Sequence, residues 1–214
     1  MRSRCAVFLN MVGAGLITMA ASAWATADSP IETIRMTIQQ ARSILEDPNY
    51  QGQDRKQQRL EKVKEIVLPQ FDSQEVSKRT LSTYWKDLTE QQRQEFTRLF
   101  VALVEKTYSH NLDRYNRSVQ FFYDHERIDD NFSEVDTRVL DPVQNKTFSI
   151  VYRLHNVDGK WLVYDVVIEN VSMVQNYRNQ FNRILAKSSY EELLKTLQNK
   201  LHELDTASIP DTKS

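Results

Sequence analysis

This sequence of 214 residues contains little cysteine and little glycine, with one cysteine and four glycines. Cys5 precedes the first apolar run, so zinc–cysteine, iron–sulfur and thiol-nucleophile sites have no cysteine in the rest of the chain. Gly52 and Gly159 stand alone, and the other two glycines lie inside that apolar run. Dinucleotide-binding fingerprints, P-loops and G-x-S-x-G nucleophile elbows need closely spaced glycines, so all three are excluded.

A surplus of charge of one sign is also lacking. The chain has 28 Lys and Arg against 29 Asp and Glu, for a net charge of −1. Proteins that bind nucleic acids normally carry a basic surplus that neutralises phosphates, so no nucleic-acid partner is predicted. The four histidines show no metal-ligand spacing, and no metal site is predicted.

The first 27 residues have the composition of a cleaved secretory signal. Two arginines come first, followed by an apolar run over residues 6–20. That run is too short to cross a membrane, which needs about 20 apolar residues. Small residues up to Ala27 fit a cleavage site. We therefore expect removal of residues 1–27, a domain over 28–205, a flexible tail over 206–214, and a bacterial periplasmic location.

The first half of the chain shows helical periodicity. A capping box at Ser29 opens the first helix, and a second helix begins near Arg55. A short third helix is predicted over residues 74–84. A further capping box at Thr89 opens a long helix with the strongest apolar stripe in the sequence.

From residue 118 the apolar period changes from 3.6 to 2, which predicts strands. A turn at residues 156–159 joins the last two strands in a hairpin. In the last strand, strict alternation puts Asp165 on the same face as Trp161 and Val163. Asn170 is predicted to cap the next helix, and Ser189 to cap the last one.

These elements predict a single α+β domain with helices packed on a curved antiparallel sheet of about four strands. Such an arrangement, of the NTF2-like kind, can enclose an apolar pocket between the helices and the sheet.

Several segments resemble the MlaC family, also known as toluene-tolerance auxiliary proteins. The fullest match is YDVVIENVSMVQNYRNQFNRIL at residues 164–185, and others are VLPQFD at 67–72, LTEQQRQEFTRLF at 88–100 and TYSHNLDRY at 107–115. Two departures stand out. The family usually has Gly where this chain has Asn170, and often has Gly in the stretch occupied by Leu81-Ser82-Thr83.

The resemblance implies a periplasmic phospholipid carrier that performs no covalent chemistry, so no catalytic residue is predicted. Members shuttle lipid between an outer-membrane complex of MlaA with a porin and an inner-membrane MlaFEDB-type ABC transporter, which they meet through MlaD. This exchange maintains the lipid asymmetry of the outer membrane. A monomer with a bound phospholipid as cargo and no cofactor is expected.

Twelve apolar residues are predicted to line the lipid pocket, although periodicity alone explains each equally well as ordinary core. They are Phe96, Phe100, Leu103, Phe121, Ile150, Tyr152, Trp161, Val163, Val171, Val174, Tyr177 and Phe181. Four arginines are candidates for the pocket mouth or a partner surface: Arg114, Arg117, Arg178 and Arg183.

Two alternatives remain open on sequence grounds. A cone-fold enzyme acting on a hydrophobic small molecule would use Asp165 as a general base, whereas a structural role would have this carboxylate hydrogen-bonded within the fold. A periplasmic adaptor or chaperone without a pocket would have a filled core and an exposed apolar patch.

Overall fold

The computed structural model describes residues 29–112 and 117–207, so the predicted signal lies outside the described residues. This part of the chain contains six α-helices joined to one sheet. None of these helices is long and apolar enough to cross a membrane. The helices are α1 (Pro30–Glu46), α2 (Lys56–Val67), α3 (Ser73–Leu81), α4 (Glu90–Leu112), α5 (Met173–Leu185) and α6 (Tyr190–Ala207).

The predicted helix starts are confirmed by their hydrogen bonds. The Ser29 hydroxyl accepts the N–H of Glu32 at 3.3 Å. Thr89 and Gln92 form a reciprocal capping box, in which each side chain accepts the backbone N–H of the other at 3.3 and 2.9 Å, respectively. These local contacts satisfy N–H groups that have no partner inside the helix.

The third helix is shorter than predicted, because α3 ends at Leu81 rather than Tyr84. Ser82 adopts φ 54° and ψ −120°, a conformation that a helix cannot continue through. A 3-10 segment, Ser82–Asp87, follows and leads towards α4.

The sheet has five antiparallel strands in sequential order, and the α+β single-domain prediction is confirmed. Four of them match the predicted strands, and the fifth is a two-residue strand that alternation did not indicate. The strands are β1 (Gln120–Asp129), β2 (Phe132–Asp141), β3 (Lys146–Val157), β4 (Lys160–Ile168) and β5 (Val171–Ser172).

The predicted β3–β4 hairpin is confirmed, with a two-residue turn of Asp158 and Gly159 between paired Val157 and Lys160. Both turn residues have positive φ, 52° and 84°. This is the type I′ geometry that matches the twist of the flanking strands.

The prediction that Asn170 caps the following helix is wrong. Asn170 and Glu169 form a second two-residue turn with φ values of 64° and 48°, which joins β4 to β5. Asn tolerates positive φ better than other residues with a side chain. Ser172 caps α5 instead, since its hydroxyl accepts the N–H of Gln175 at 3.0 Å.

The prediction that Asp165 shares a face with Trp161 and Val163 is also wrong. Leu154 pairs with Val163, but Tyr152, two residues earlier on β3, pairs with Val166. One extra residue on β4 therefore lies between these pairs, as in a β-bulge. The bulge reverses the alternation, so Val166 shares the face of Val163 and Asp165 lies on the opposite face.

The buried apolar residues form two clusters with no residue in common. The sheet-side cluster joins α1 to one sheet face, and the helical cluster joins α3, α4, α5 and α6. The buried members of the sheet-side cluster are Ile34, Val135, Leu154 and Val163, against which Ile31, Ile38, Phe71, Tyr123, Tyr152, Trp161 and Val166 pack.

Candidate functional site

One face of the sheet, called the covered face below, packs against α1. The cross-strand register places Val135, Tyr152 and Val166 in one row of this face, and Leu154 and Val163 in the row beside it. Val135, Leu154 and Val163 are fully buried, and Ile34 of α1 closes over the same cluster. At strands β2, β3 and β4, this end of the covered face is therefore closed to water.

Exposure increases towards the opposite end of the same face. Tyr152 and Val166 are only half-buried. In the following row, Ile150 pairs with Ile168, and Ile168 pairs with Val171. Ile168 is 40% exposed and Val171 is 61% exposed. The covered face thus carries an apolar surface that runs from a closed core to solvent.

Tyr152 lies where this surface becomes accessible. Burial strongly raises the pKa of its phenol, and the nearby Tyr123 raises it further. Part of the Tyr152 side chain nevertheless remains accessible to water. A group that is surrounded by protein but not sealed from solvent is expected in the wall of a cleft.

Cationic groups follow the seam between α1 and β1. The Arg35 guanidinium lies 4.4 Å from the centre of the Tyr123 ring, and that of Arg42 lies 5.7 Å from the Phe121 ring. The Glu126 carboxylate accepts the backbone N–H of Ile31 at 2.8 Å. These contacts hold the first helix against the edge strand of the sheet.

The helical cluster is tightly packed. The Phe100 ring centre lies 5.6 Å from that of Phe96, 4.9 Å from that of Tyr177 and 5.4 Å from that of Phe181. Each of these four side chains is buried. In this conformation the cluster is a closed aromatic core, which is the structure expected of a filled interior.

The structure distributes the twelve predicted lining residues over both sides of the domain. Six belong to the helical cluster: Phe96, Phe100, Leu103, Val174, Tyr177 and Phe181. Tyr152, Trp161 and Val163 belong to the sheet-side cluster. Phe121 and Ile150 are half-buried on the covered face. Val171, expected on a helix, lies in β5.

Sequence reasoning missed two residues of the covered face. Strict alternation assigns Val166 and Ile168 to the face opposite Val163, and the bulge in β4 brings both to the same face. Both faces of this segment are apolar in the sequence, a pattern that fits either two covered faces or a ligand on one of them.

Asp165 is held by three donors and is almost completely buried. Its carboxylate accepts the Ser172 hydroxyl at 2.6 Å, the Val174 N–H at 3.0 Å and the Arg153 guanidinium at 3.2 Å. These bonds join β4 to β3 and to the start of α5. The arrangement supports a structural role, because the oxygens that a general base would use already accept hydrogen bonds.

The family model described as MlaC protein matches residues 35–199. The chain belongs to the MlaC family. The intermembrane phospholipid transport system binding protein MlaC of Haemophilus influenzae is 27% identical over 158 residues, which is 72% of this chain and 70% of that protein. The resemblance predicted from the sequence motifs is therefore confirmed.

The fold is shared with a solved structure. A phospholipid-binding protein from Ralstonia solanacearum, determined in complex with a phospholipid, superposes with a TM-score of 0.74 at 22% sequence identity. The similarity covers 83% of this chain and 99% of the Ralstonia chain.

The two departures from the usual MlaC sequence pattern differ in their structural consequences. Asn170 has φ 64°, which lies in the left-handed region that Asn tolerates. Ser82 combines φ 54° with ψ −120°, which only Gly adopts readily. The first substitution is therefore mild, whereas the second leaves a strained backbone between α3 and the 3-10 segment.

A groove of about 560 Å³ lies on the helical side of this MlaC-family domain. It runs along α4, and its lining includes Trp85 of the 3-10 segment together with Arg93, Arg98 and Glu105 of α4. The lining carries several charged side chains. The groove contains none of the twelve residues that were predicted from the sequence to line a lipid pocket.

The arginines proposed for the pocket mouth have separate roles. The Arg178 guanidinium donates to the Arg79 carbonyl at 2.7 Å and so connects α5 to α3. Arg117 donates to the Glu46 carbonyl at 3.4 Å, at the end of α1. Arg183 is exposed, and Arg114 lies outside the described residues. Across 29–112 and 117–207, no group of three or more His, Cys, Asp or Glu side chains could hold a metal ion.

Proposed function

We propose that this protein is a periplasmic phospholipid carrier that holds acyl chains against the covered face of its sheet. The observation that carries the proposal is the continuous apolar surface from buried Leu154 to exposed Val171. Membership of the MlaC family supports it, as does the phospholipid-transport name of the Haemophilus relative. The Ralstonia protein of the same fold was determined with a phospholipid.

The physical requirement on such a carrier is to keep hydrocarbon out of water. Two acyl chains contain roughly 30 methylene-type groups, whose exposure would cost on the order of 20 kcal/mol at about 0.8 kcal/mol each. An apolar cleft offsets that cost without covalent chemistry or a cofactor, and the phospholipid is cargo. The polar head group stays in water.

The half of the predicted lining that lies on the sheet is proposed to contact the acyl chains. Five of its members are Phe121, Ile150, Tyr152, Trp161 and Val163, to which Val166 is added. The sixth, Val171, lies with Ile168 at the exposed margin of this surface rather than in the part that holds the bound chains. The six residues of the helical cluster are proposed to support this wall as core. The four aromatic rings among them already pack against one another and fill the interior of this cluster.

The proposed setting is the space between two membranes. The signal at residues 1–27 is removed on export, leaving the 28–205 domain and the 206–214 tail. The carrier then docks as a monomer on the outer-membrane MlaA–porin complex and on the inner-membrane MlaFEDB-type transporter through MlaD. This exchange would maintain outer-membrane lipid asymmetry, in keeping with the family.

The first experiment is native mass spectrometry, followed by lipid extraction, on the full chain exported to a bacterial periplasm and purified without detergent. About one phospholipid per protein is expected. A lipid-free protein that also takes up no lipid from vesicles would contradict the carrier function. That result would direct attention to an adaptor or to an enzyme acting on another hydrophobic molecule.

A pair of neighbouring variants tests where the lipid lies. Ile150→Glu places a charge on the covered face and is expected to lower the lipid content. Val151→Glu places the same charge one residue further, on the opposite face, since successive strand residues alternate. Circular dichroism establishes that both variants are folded. Equal lipid content in the two would contradict binding on the covered face.

A further inference from the structure

The hairpin between β4 and β5 presents two large aliphatic side chains to water. Ile168 and Val171 pair directly across its turn and lie on the covered face. They belong to the same row as half-buried Ile150. The two side chains therefore continue the apolar surface of the covered face and do not form a separate surface patch.

Short polar contacts hold this hairpin in place. The Glu169 carboxylate accepts the N–H of Ser149 at 2.6 Å, and the Glu169 N–H donates to the Ser149 carbonyl at 3.0 Å. On the other arm, the Ser172 hydroxyl donates to the buried Asp165. These bonds fix the turn. The two aliphatic side chains therefore stay exposed to water and could pack inwards only if the bonds broke.

The far end of the covered face is closed by the chain that precedes α3. Phe71 forms an isolated bridge with Val163, and the Asp72 N–H donates to the Val163 carbonyl at 3.0 Å. Phe71 also packs against the sheet-side cluster. Hydrocarbon lying on this face is therefore blocked at one end and meets solvent at the hairpin.

We infer that the β4–β5 hairpin is the portal of the carrier, across which the acyl chains of a phospholipid slide over Ile168 and Val171 as they enter and leave. This inference rests on the proposed carrier function and adds the route by which the lipid enters and leaves. The aliphatic pair contacts hydrocarbon during transfer and lowers the free-energy cost of moving each acyl chain between the cleft and a membrane.

The test uses Ile168→Asn combined with Val171→Asn in the full chain. Transfer of a fluorescent phospholipid between phosphatidylethanolamine–phosphatidylglycerol vesicles is expected to slow about tenfold, while the extracted lipid stays at the wild-type amount. The matched control is Ile128→Asn. Ile128 is 52% exposed on the same sheet face, but at the diagonally opposite corner, where it pairs with Ser133. Its transfer rate is expected to be that of the wild type.

The outcomes separate the portal from the carrier function. A wild-type transfer rate in the double variant, with lipid bound, overturns the portal and leaves the carrier in place. Loss of bound lipid from the double variant overturns the portal too, because the residues would then belong to the binding site itself. A wild-type protein that binds no lipid overturns the carrier function.

A second measurement avoids any polar substitution. Val171→Cys, labelled with an environment-sensitive fluorophore after removal of the leader that contains Cys5, reports on the polarity at the hairpin. Reloading delipidated protein from the same vesicles is expected to shift the emission to the blue. Labelled Ile128→Cys is expected to show no shift. Equal responses at the two positions would overturn the portal.

Discussion

Asp165 accepts the hydroxyl hydrogen of Ser172 at 2.6 Å, and Ser172 in turn caps α5. Strand β4 is therefore connected to the following helix through one buried carboxylate. The bulge in β4 makes this possible, because it places Asp165 on the face opposite Val163.

Asp165→Asn should destabilise the domain by about 2–4 kcal/mol, since buried donors lose a charged acceptor and Arg153 keeps only its ion pair with Glu134. The measurement is urea unfolding followed by circular dichroism. Asp158→Asn, in an exposed turn that Asn tolerates, is the control and should leave the midpoint unchanged. Equal unfolding midpoints for the two variants would show that the hydrogen bonds of Asp165 contribute nothing to the stability of the domain.

Ser82→Gly should stabilise the protein. The observed φ and ψ at Ser82 cost a residue with a side chain about 1–3 kcal/mol, and the entropy of an added glycine takes back about 0.5–1 kcal/mol. A net gain of about 1 kcal/mol is expected in thermal or urea unfolding. Ser82→Ala keeps the Cβ atom and should bring no gain. An equal gain in stability in both variants would mean that relief of backbone strain at Ser82 is not the source of the gain.

Phe100→Ala should cost about 3–5 kcal/mol, since the ring is fully buried among three other aromatic rings. The lipid content per folded molecule should not change, because the helical cluster is proposed as core. Phe122→Ala, at a ring that is 38% exposed, is the size-matched control and should cost little. A stable Phe100→Ala variant without lipid would place Phe100 in the pocket lining.

Stability should fall as the pH rises above about 10, the ordinary pKa of tyrosine. Burial raises the pKa of Tyr190 to about 12, and its hydroxyl donates to the Gln92 carbonyl at 2.7 Å. The folded state therefore favours the neutral phenol. Its contribution is complete below the unfolded pKa and is lost as the pH approaches the folded value.

Thermal unfolding across the alkaline range, together with phenolate absorbance, measures this effect. Tyr190→Phe should start from a lower stability at neutral pH, because one hydrogen bond is missing, and should lose less on going to high pH. Parallel stability curves for the two proteins would contradict the role of Tyr190.

Local patterns predicted the local structure of this chain well. The caps at Ser29 and Thr89 depend on residues three positions away, and both occur as predicted. The turn at Asp158 and Gly159 is equally local. Such contacts are visible in a short window of sequence.

Features set by distant pairing could not be predicted in this way. The bulge in β4 depends on how β3 aligns beside it, so alternation misplaced Asp165 and missed Ile168. The periodicity of Phe100 and Tyr152 indicated that both face the interior. It could not tell a closed aromatic core from a cleft, because both need apolar side chains.

The contact between Ile31 and Glu126 joins residues 95 positions apart in the chain. The start of α1 thus acquires its partner only after β1 has been synthesised and paired. Contacts of such long sequence separation form slowly, because a long loop must close first. Docking of α1 is therefore expected late in folding, and until then the apolar surface that is proposed to hold lipid is open along its length.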